Sequence, residues 1–540
     1  MTLRTSIAVL IALCVVSGCA QLPENSNIPV MNAKKTSEST ALANSAQLIM
    51  QQSLDEHAHL SPEHTKNYST VFLLNEGTDA FYARMHLISQ AEESVDLQYY
   101  IWHSDIIGNA LISALIKAAD RGVRIRFLLD DFTLSPETQQ QVYAMNVHPN
   151  IYVRLFNPLA NRGFRAGDYL TDASRINRRM HNKSLTVDGQ VVVIGGRNIG
   201  NEYFSADIDS NFRDIDALVV GPTVGKVEKQ FDRYWNSEVV YSVDAFAGND
   251  VTQKELLVLK QELAQFIDSM SDSDYLKDVK DSDIYKRLLS LSANESVASP
   301  MPYYYGETQV FYDDPQKALG KSENEIVFLK TQMLPHLENI RYSFEIISPY
   351  FVPGESGVAK LTEMVKQGIT VRLLTNSLAS TDGVLAQSGY SRHREALLRG
   401  GVEIYELRTD VAKHASYALR RGGKSKSGLH GKTYVLDRES VFIGSFNFDQ
   451  RSANINSEIG VLYQIPTLSE MLGGVVFEHD VAIGAYQVVL KADPTTGKER
   501  LIWIENINGK ITEYEQDPGT SWWRRFTEDF YSILPIESQL

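Results

Sequence analysis

Cysteine is nearly absent from this 540-residue chain, which contains only Cys14 and Cys19. The rest of the chain therefore cannot supply a cysteine nucleophile, a disulfide framework or a cysteine-based zinc site. Positive charge is also scarce, because 52 Lys and Arg residues stand against 67 Asp and Glu residues and leave a net charge of −15. Proteins that coat nucleic acid neutralise many phosphates, so this balance argues against that class. It still allows one phosphate group to bind in a locally basic cleft.

Long hydrophobic runs are missing as well. The apolar run at residues 7–16 is too short to cross a membrane, which takes about 20 residues. It follows Met-Thr-Leu-Arg and precedes Val16-Ser17-Gly18-Cys19, an order that predicts a signal peptide over residues 1–19. The Val-Ser-Gly-Cys ending resembles a bacterial lipobox, which implies that Cys19 is lipidated. A signal peptide that is cut elsewhere and an uncleaved anchor are the alternatives.

The chain does contain a duplicated motif. The pattern His-x-Lys-x4-Asp occurs twice, and each copy is followed, after six further residues, by Gly, a small residue, any residue and Asn. The two copies are His181, Lys183, Asp188, Gly195, Gly196 and Asn198, then His430, Lys432, Asp437, Gly444, Ser445 and Asn447. Two copies with the same tail indicate two half-sites, so we expect the chemistry to need one histidine from each half.

The regions around the motifs repeat too. In the first half, residues 94–101 and 123–129 are predicted as strands, with a helix at 108–120 that ends near Gly122. In the second half, strands at 344–348 and 369–374 enclose a helix at 357–367 that Gly368 ends. Because strand–helix–strand order favours an α/β layer structure, we predict two α/β sandwiches related by a pseudo-twofold axis. The active site would then lie at their interface.

Six segments follow from these patterns. We predict a signal peptide (1–19), a flexible tether (20–65), an N-terminal domain with the first motif (66–240), a helical and acidic insertion (241–300), a C-terminal domain with the second motif (301–470) and a C-terminal extension (471–540). The extension contains an aromatic segment at 521–534. This segment predicts a helix that packs on the core, and the alternative is a membrane-facing edge of aromatic and Arg side chains.

The paired residues suit a phosphodiester substrate. Two lysines and two asparagines, Asn198 and Asn447, can place donors around the non-bridging oxygens, where negative charge grows in the transition state. One histidine can attack phosphorus and form a phosphohistidine, while the other protonates the leaving oxygen and then activates the acceptor. Since the lysines supply positive charge, we expect no metal ion and no other cofactor.

Carboxylates should hold the second nitrogen of each histidine. Glu458 follows the second motif and Asp214 follows the first, and we predict that both orient a histidine. Asp188 and Asp437 complete the catalytic motifs, where we expect them to fix backbone or lysine geometry. A basic stretch precedes each motif histidine and predicts either an entrance for an anionic substrate or a solvated face: Arg175, Arg178 and Arg179, then Arg420, Arg421, Lys424 and Lys426.

The motifs resemble the signature of the phospholipase D superfamily, and finer features resemble bacterial cardiolipin synthases of the C type. The finer features are Gln98-Tyr-Tyr-Ile-Trp102, Arg179-Met-His-Asn-Lys183, Gly195-Gly-Arg-Asn-Ile199, Ser348-Pro-Tyr-Phe-Val352, Gly444-Ser-Phe-Asn-Phe448, Trp523-Arg-Arg and Leu534-Pro-Ile-Glu537. The resemblance implies transfer of a phosphatidyl group from one phospholipid to an alcohol on another, with His181 as nucleophile and His430 as general acid and base. The symmetry of the sequence also allows the reverse assignment.

Other functions stay open at this point. They are a hydrolytic phospholipase D that releases phosphatidic acid, a nuclease, which the acidic charge and lipid tether disfavour, and an envelope protein with a decayed site. We expect anionic phospholipid substrates, no nucleic-acid partner and attachment to a membrane by the lipid anchor; no motif indicates a protein partner. A lipoprotein of this kind belongs in the bacterial envelope facing the periplasm, and Ala20 after Cys19 favours the outer membrane.

Overall fold

The structure is a computed structural model that describes residues 21–25, 28–35, 37–163, 165–247, 251–292, 301–410, 426–507, 509–534 and 537–540. The predicted signal peptide with Cys19 lies outside these ranges, as do Arg420, Arg421 and Lys424. Among the helices described, none combines the length and the apolarity needed to cross a membrane.

Twenty strands are described, and eighteen of them form one continuous sheet. The strands are β1 (Tyr68–Leu74), β2 (Ser94–Tyr99), β3 (Arg124–Asp130), β4 (Ile151–Phe156), β5 (Ser184–Val187), β6 (Val191–Gly195), β7 (Ser210–Arg213), β8 (Asp216–Val220), β9 (Val240–Ser242), β10 (Tyr304–Tyr312), β11 (Ser343–Ile347), β12 (Thr370–Asn376), β13 (Glu403–Leu407), β14 (Lys426–Leu429), β15 (Thr433–Leu436), β16 (Ser440–Gly444), β17 (Ile459–Gln464), β18 (Ala485–Ala492), β19 (Glu499–Ile507) and β20 (Lys510–Tyr514). β7 and β14 form a separate parallel pair.

Helices cover the sheet. They are α1 (Ala41–Glu56), α2 (Pro62–Thr65), α3 (Gly77–Gln90), α4 (Ile106–Asp120), α5 (Pro136–Asn146), α6 (Asp168–Thr171), α7 (Ala173–Ile176), α8 (Pro222–Trp235), α9 (Asp244–Ala247), α10 (Gln253–Ser269), α11 (Asp274–Asp281), α12 (Asp283–Ser292), α13 (Leu329–Glu338), α14 (Gly354–Lys366), α15 (Val384–Arg399), α16 (Gln450–Asn454), α17 (Pro466–Gly474), α18 (Val481–Gly484) and α19 (Trp522–Ser532). A π-helical turn joins α17 to α18.

The order of strands across the sheet repeats between the halves. The first half runs β9-β4-β3-β2-β5-β6-β8-β1, and the second runs in the opposite direction as β10-β17-β16-β15-β11-β12-β13-β18, followed by β19 and β20. β1 and β10 pair antiparallel at the centre, with Tyr68 opposite Glu307. A core cluster shared by both halves, with Val71, Ile194 and Val461 among its members, lies beside this junction. The two-sandwich fold with pseudo-twofold symmetry is confirmed.

The predicted strand–helix–strand units are confirmed within a few residues of their predicted ends. In each half, parallel strands enclose a helix, α4 between β2 and β3 and α14 between β11 and β12. Gly122 and Gly368 follow these helices with φ of 99° and 88°. Glycine adopts this left-handed region at little cost, and it therefore stops each helix two residues after its last turn.

The described part of the predicted flexible tether is packed against the body, which corrects that expectation. The Arg126 side chain donates to the Met31 carbonyl at 2.8 Å, and the Ala33 N–H donates to Asp232 at 2.9 Å. Helix α1 buries Leu42 and Ala46 in the N-terminal core. The partners of this segment lie about 100 to 200 residues away in the chain, so a local pattern of polar residues could not reveal them.

The insertion and the extension also join the two sandwiches. Leu256, Leu259 and Leu263 of α10 are buried in the N-terminal core, so the described part of the insertion enlarges that core. β18 pairs with β13, and the second half of the sheet therefore continues past residue 470 into the predicted extension. In the first half β9 occupies the matching place beside β4.

Candidate active site

The two motif histidines lie just before β5 and β15, where the halves meet. The His181 N–H donates to the Ser457 carbonyl at 2.8 Å, and the His430 N–H donates to the Arg213 carbonyl at 2.8 Å. The strand of each motif begins three residues after the histidine, because the backbone at the histidine pairs with the opposite half. Ser457 directly precedes Glu458, and Arg213 directly precedes Asp214. The backbone of each histidine is therefore bound by the residue that precedes a carboxylate of the other half.

The carboxylates are exchanged between the halves. His181 Nδ1 lies 2.8 Å from Glu458 Oε2, and His430 Nδ1 lies 2.5 Å from Asp214 Oδ2. All four side chains are buried. Each histidine therefore depends on a carboxylate from the second sandwich, and neither half can form a complete pair alone.

The small residues of the motif tails explain how the carboxylates fit. A side-chain carbon at Gly196 would overlap the carboxylate of Asp214, so glycine leaves the room that the aspartate needs. Ser445 occupies the matching position in the second copy, where its hydroxyl donates to Glu458. The sequence showed the difference between Gly-Gly and Gly-Ser, but it did not show that these positions contact the carboxylates.

Hydrogen bonds fix which nitrogen of His181 is available. Nδ1 faces both the Ser445 carbonyl at 3.0 Å and Glu458 at 2.8 Å. Because a carbonyl only accepts hydrogen bonds, the proton belongs on Nδ1. Nε2 is then the nitrogen with a free lone pair, as a nucleophile requires.

The two lysines are buried and fold back onto their own motifs. Lys183 Nζ donates to the His181 carbonyl at 2.5 Å, and Lys432 Nζ donates to the His430 carbonyl at 2.5 Å. Lys432 Nζ also lies 3.1 Å from His430 Nε2. Burial lowers the pKa of Lys183 well below its usual value, and burial lowers the pKa of Lys432 to about 8 although Asp214 and Glu458 oppose the shift. Ammonium groups at this depth are poorly solvated, so an incoming phosphate is a favourable partner for them.

The histidines share one electrostatic environment. Burial lowers the pKa of His181 well below its usual value, and the positive charges of Lys183 and Lys432 lower it further. Burial also lowers the pKa of His430, Lys432 adds to this effect, and Asp214 opposes it. Lysines from both halves thus act on His181, which is what a single site built from two half-sites requires.

The pKa values of the two carboxyl groups shift in opposite directions. Burial opposes ionisation of Asp214, but His430 and Lys432 outweigh burial and lower the pKa of Asp214 to about 2. For Glu458 burial prevails over Lys183 and Ser445, and the pKa is raised. His430 therefore faces the more firmly ionised carboxylate.

The motif asparagines are both buried. Asn198 Oδ1 accepts a hydrogen bond from the Ile101 N–H at 3.3 Å. This bond fixes the orientation of the amide and leaves its Nδ2 pointing away from Ile101. Asn447 is held through its backbone N–H, which donates to Ser452 Oγ at 3.2 Å, and within the described residues its Oδ1 has no hydrogen-bond partner. Such a buried polar atom is costly unless a bound group satisfies it.

Aromatic rings that the sequence analysis did not assign to the site pack against both histidines. The Tyr100 ring lies edge-on to His181 with centroids 5.2 Å apart, and the Tyr203 ring lies edge-on to His430 at 5.0 Å. Phe212 adds a second contact to His430 at 5.6 Å. Tyr100 belongs to the Gln98–Trp102 segment that was noted only as a resemblance, while Tyr203 and Phe212 had no distinguishing signal.

Asp188 and Asp437 fix backbone geometry, as we expected, and the structure corrects only their inclusion among the catalytic residues. Asp188 accepts from the N–H groups of Glu92, Glu93 and Ser94 at 2.8–3.0 Å. Asp437 binds Arg341, Tyr342 and Ser343 in the same way, at 2.7–3.1 Å. Both follow the far end of a motif strand, with φ near 50°, and they anchor the start of the neighbouring strand.

The basic stretch before the first motif is largely used inside the protein. Arg179 is buried and donates to the Asn157 carbonyl at 2.6 Å and to Asp130 at 3.2 Å. Arg175 donates to the Asn157 side chain and to the Pro158 carbonyl. Arg178 donates a longer hydrogen bond than Arg175 and Arg179 do to backbone carbonyls, at 3.3 Å to the Lys317 carbonyl.

Comparisons with known proteins show the family of this chain. The family described as "Cardiolipin synthase, PLD-like domain" matches residues 85–235 and 333–475, and each match contains one motif. Cardiolipin synthase C of Escherichia coli is 38% identical over 471 residues, which cover 86% of this chain and 95% of that protein. The chain belongs to this family. It is a phospholipase D-superfamily phosphatidyltransferase.

More distant relatives match the same architecture. A cardiolipin synthase of Geobacillus kaustophilus is 26% identical over 411 residues, which cover 75% of this chain and 65% of that protein. The crystal structure of a phosphatidylserine synthase of Haemophilus influenzae superposes on the phosphatidyltransferase with a TM-score of 0.52. It covers 92% of this chain and 100% of that chain at 12% identity, and therefore supports the fold alone.

Proposed function

We propose that this phosphatidyltransferase forms a covalent phosphatidyl-histidine on His181 and passes the phosphatidyl group to the hydroxyl of a second phospholipid, as a cardiolipin synthase does. The observation that carries the proposal is the exchanged pair of histidine–carboxylate contacts. They hold one buried histidine from each sandwich against a buried carboxylate of the other, and the pKa of Asp214 is lowered while that of Glu458 is raised.

The first step cleaves the donor. His181 Nε2 attacks phosphorus, the bond from phosphorus to the head-group oxygen breaks, and His430 gives its Nε2 proton to that oxygen. A neutral His181, favoured by its lowered pKa, is the form that can attack. The ionised Asp214 stabilises the protonated form of His430 that serves as the acid.

The second step reverses these roles. The acceptor hydroxyl gives its proton to His430 and attacks phosphorus, and the bond between phosphorus and His181 Nε2 breaks. Lys183 and Lys432, with Asn198 and Asn447, supply donors to the non-bridging oxygens in both steps. No proton or electron is left over in the complete cycle.

The substrates are proposed from chemistry and from relatives. Both named cardiolipin synthases imply a phospholipid donor and a phospholipid acceptor, and the buried ammonium groups favour an anionic donor such as phosphatidylglycerol. We further propose that the chain is a lipoprotein attached through Cys19, facing the periplasm at the outer membrane. The Val-Ser-Gly-Cys sequence followed by Ala20 supports this location.

The test uses purified protein with phosphatidylglycerol vesicles, with and without phosphatidylethanolamine, and mass spectrometry of the products. A His181→Ala variant is compared with a His59→Ala variant, because His59 is exposed and outside the site. Cardiolipin that requires His181 supports the proposal. Phosphatidic acid alone means that water is the acceptor, and no product from either lipid contradicts a phosphatidyl substrate.

A further inference from the structure

Helix α19 is oriented with its large apolar side chains toward solvent. The exposed fractions are 66% for Trp522, 65% for Trp523, 46% for Phe526, 53% for Phe530 and 80% for Ile533, which follows the helix directly. An amphipathic helix on a globular protein normally turns such residues toward the core. This helix does the opposite, since Glu528 is its one buried residue.

Polar side chains attach the helix to the protein. Arg524 donates to the carbonyls of Leu378 and Thr381 at 2.6 and 2.5 Å, and Glu528 accepts from Ser391 of α15. Arg392 donates to the Leu534 carbonyl just after the helix. The inward face is therefore satisfied by directed bonds, and turning the aromatic face inward would break all of them.

The aromatic face forms a continuous stacked surface. The Trp522 and Phe526 rings stack with centroids 5.4 Å apart, and the Trp523 and Phe526 rings stack at 5.5 Å. Trp and Phe together with neighbouring Arg are the residues that occupy the boundary between lipid head groups and acyl chains. A contiguous exposed apolar patch of this kind marks an interaction surface.

One loop connects this helix to the active site. The loop whose carbonyls bind Arg524 follows Asn376, the last residue of β12. The Asn376 side chain donates to the Leu429 carbonyl at 2.9 Å and accepts from the Leu429 N–H at 2.8 Å. Leu429 directly precedes His430. After the helix, the C-terminal residue Leu540 accepts from the Arg451 N–H at 2.7 Å, and Arg451 also binds Asn177 close to the first motif.

We propose that α19 is a membrane-docking helix that inserts its aromatic face into the surface of a phospholipid bilayer and thereby places the active-site entrance against its substrate. The proposal rests on the proposed function, because a bilayer is the source of a phosphatidyl donor. The lipid anchor proposed at Cys19 would hold the protein near a membrane but would not orient it. Helix α19 supplies the orientation.

The chain contains its own reporters for a test. Of its five tryptophans, Trp102, Trp235 and Trp503 are buried to 2% exposure or less, so only the two on α19 can meet lipid. The full-length protein is mixed with phosphatidylglycerol–phosphatidylethanolamine vesicles that carry brominated acyl chains, which quench tryptophan on contact. We expect quenching of the exposed pair and protection of the same pair from aqueous acrylamide.

Three double variants make the result specific. Trp522→Phe with Trp523→Phe keeps the aromatic face and removes the reporters, so quenching should disappear while vesicle activity remains. Trp522→Ser with Trp523→Ser removes the face, and activity on vesicles should fall about tenfold or more. Leu257→Ser with Ile511→Ser removes two exposed apolar residues elsewhere and should leave both readouts unchanged.

Activity in detergent micelles separates this proposal from the proposed function. If micellar activity survives in the serine variant while vesicle activity falls, α19 acts through docking. Absence of lipid quenching, or equal vesicle activity in the serine variant and wild type, would overturn membrane docking and leave the catalytic proposal standing. Quenching without any phosphatidyl transfer would support docking and contradict the proposed reaction.

Discussion

The two half-sites share a backbone pattern but differ in the chemistry around each histidine. His181 pairs with Glu458, which also accepts from Ser445, and burial keeps the pKa of that carboxyl raised. His430 pairs with Asp214, whose pKa is lowered to about 2. Gly196 provides the room for the shorter carboxylate.

The difference shows how a duplicated site acquires two roles. A histidine beside a weakly ionised carboxyl has little reason to hold a second proton, which suits a nucleophile. A histidine beside a firmly ionised carboxylate is better able to hold that proton, which suits a general acid. The substitutions that distinguish the halves, Gly196 against Ser445 and Asp214 against Glu458, therefore bear directly on which histidine attacks.

Exchanging the histidines for asparagine is the strongest test of this comparison. We expect His181→Asn and His430→Asn each to lower turnover about 10³-fold or more, because each removes a chemical step. With a donor whose leaving group is p-nitrophenol, the first step needs no acid. His430→Asn should then accumulate a phosphatidyl-protein adduct that intact-mass measurement detects.

His181→Asn should form no such adduct with the same donor. An adduct on His430 in the His181→Asn protein would reverse the assignment of roles. His59→Asn serves as the control for an exposed histidine.

Removing the carboxylate charges should separate the halves. Asp214→Asn removes an ionised partner, and we expect turnover to fall about 10²- to 10⁴-fold. Glu458→Gln replaces a carboxyl whose pKa is already raised, so the expected loss is about 10- to 100-fold. Single-turnover rates of both variants check the order, and a larger loss for Glu458→Gln would break the comparison.

Substitutions of the small residues Gly196 and Ser445 should lower turnover by less than the largest loss expected for the carboxylate variants. Gly196→Ala forces a methyl group into the carboxylate of Asp214, and a displaced partner should cost about 10²-fold in kcat. Ser445→Ala removes one hydrogen bond to Glu458 and should cost about tenfold. Thermal unfolding of both variants provides the control. A large fall in Tm for Gly196→Ala would mean that its loss of activity comes from a folding defect and not from a displaced Asp214.

The sequence predicted the residues of this site better than their connections. The repeat of His, Lys, Gly and Asn indicated two half-sites, and the strand–helix–strand repeat indicated two sandwiches. It did not show that Asp214 serves the histidine of the second motif and Glu458 that of the first, because both contacts join residues more than 200 positions apart. It also placed Asp188 and Asp437 with the catalytic set, although their spacing puts them beyond the opposite end of the motif strand.

The packing of the N-terminal segment and of α19 could not be predicted for a related reason. Polar composition indicated a tether, but Met31 and Ala33 bind side chains of the first domain, the buried Arg126 and the half-buried Asp232. The aromatic pattern of α19 predicted a helix that packs on the core, and this prediction was wrong for the aromatic side chains, which are exposed. Arg524 and Glu528 decide this through partners in α15 and the preceding loop.

The pH dependence should distinguish the two lysines. The pKa of Lys432 is lowered to about 8, so its charge is present below that pH and is lost as pH rises above it. We expect kcat/KM to fall as pH increases through about 8, because the transition-state charge loses a donor. Lys432→Arg should shift this fall upward, since arginine stays protonated.

Lys183→Arg is the control for Lys432→Arg. The pH profile of kcat/KM is measured for both variants. Burial lowers the pKa of Lys183 well below its usual value, and Lys183→Arg therefore tests whether this lysine contributes to the limb near pH 8. If Lys183→Arg shifted that limb and Lys432→Arg did not, the titrating group would be assigned to the first half-site.

The smallest effect on catalysis is expected at Asp188 and Asp437, where the halves differ in burial and not in chemistry. Each carboxylate satisfies three backbone N–H groups at the start of a strand, but Asp188 is buried and Asp437 is only half-buried. Leaving buried donors unsatisfied costs about 1–3 kcal/mol, so Asp188→Ala should lower the free energy of unfolding by more than Asp437→Ala. Because neither carboxylate contacts a histidine or a motif lysine, kcat per folded molecule should stay within about twofold of wild type. Denaturant unfolding with activity normalised to the folded fraction measures both quantities, and a loss of kcat without a loss of stability would return these residues to the catalytic set.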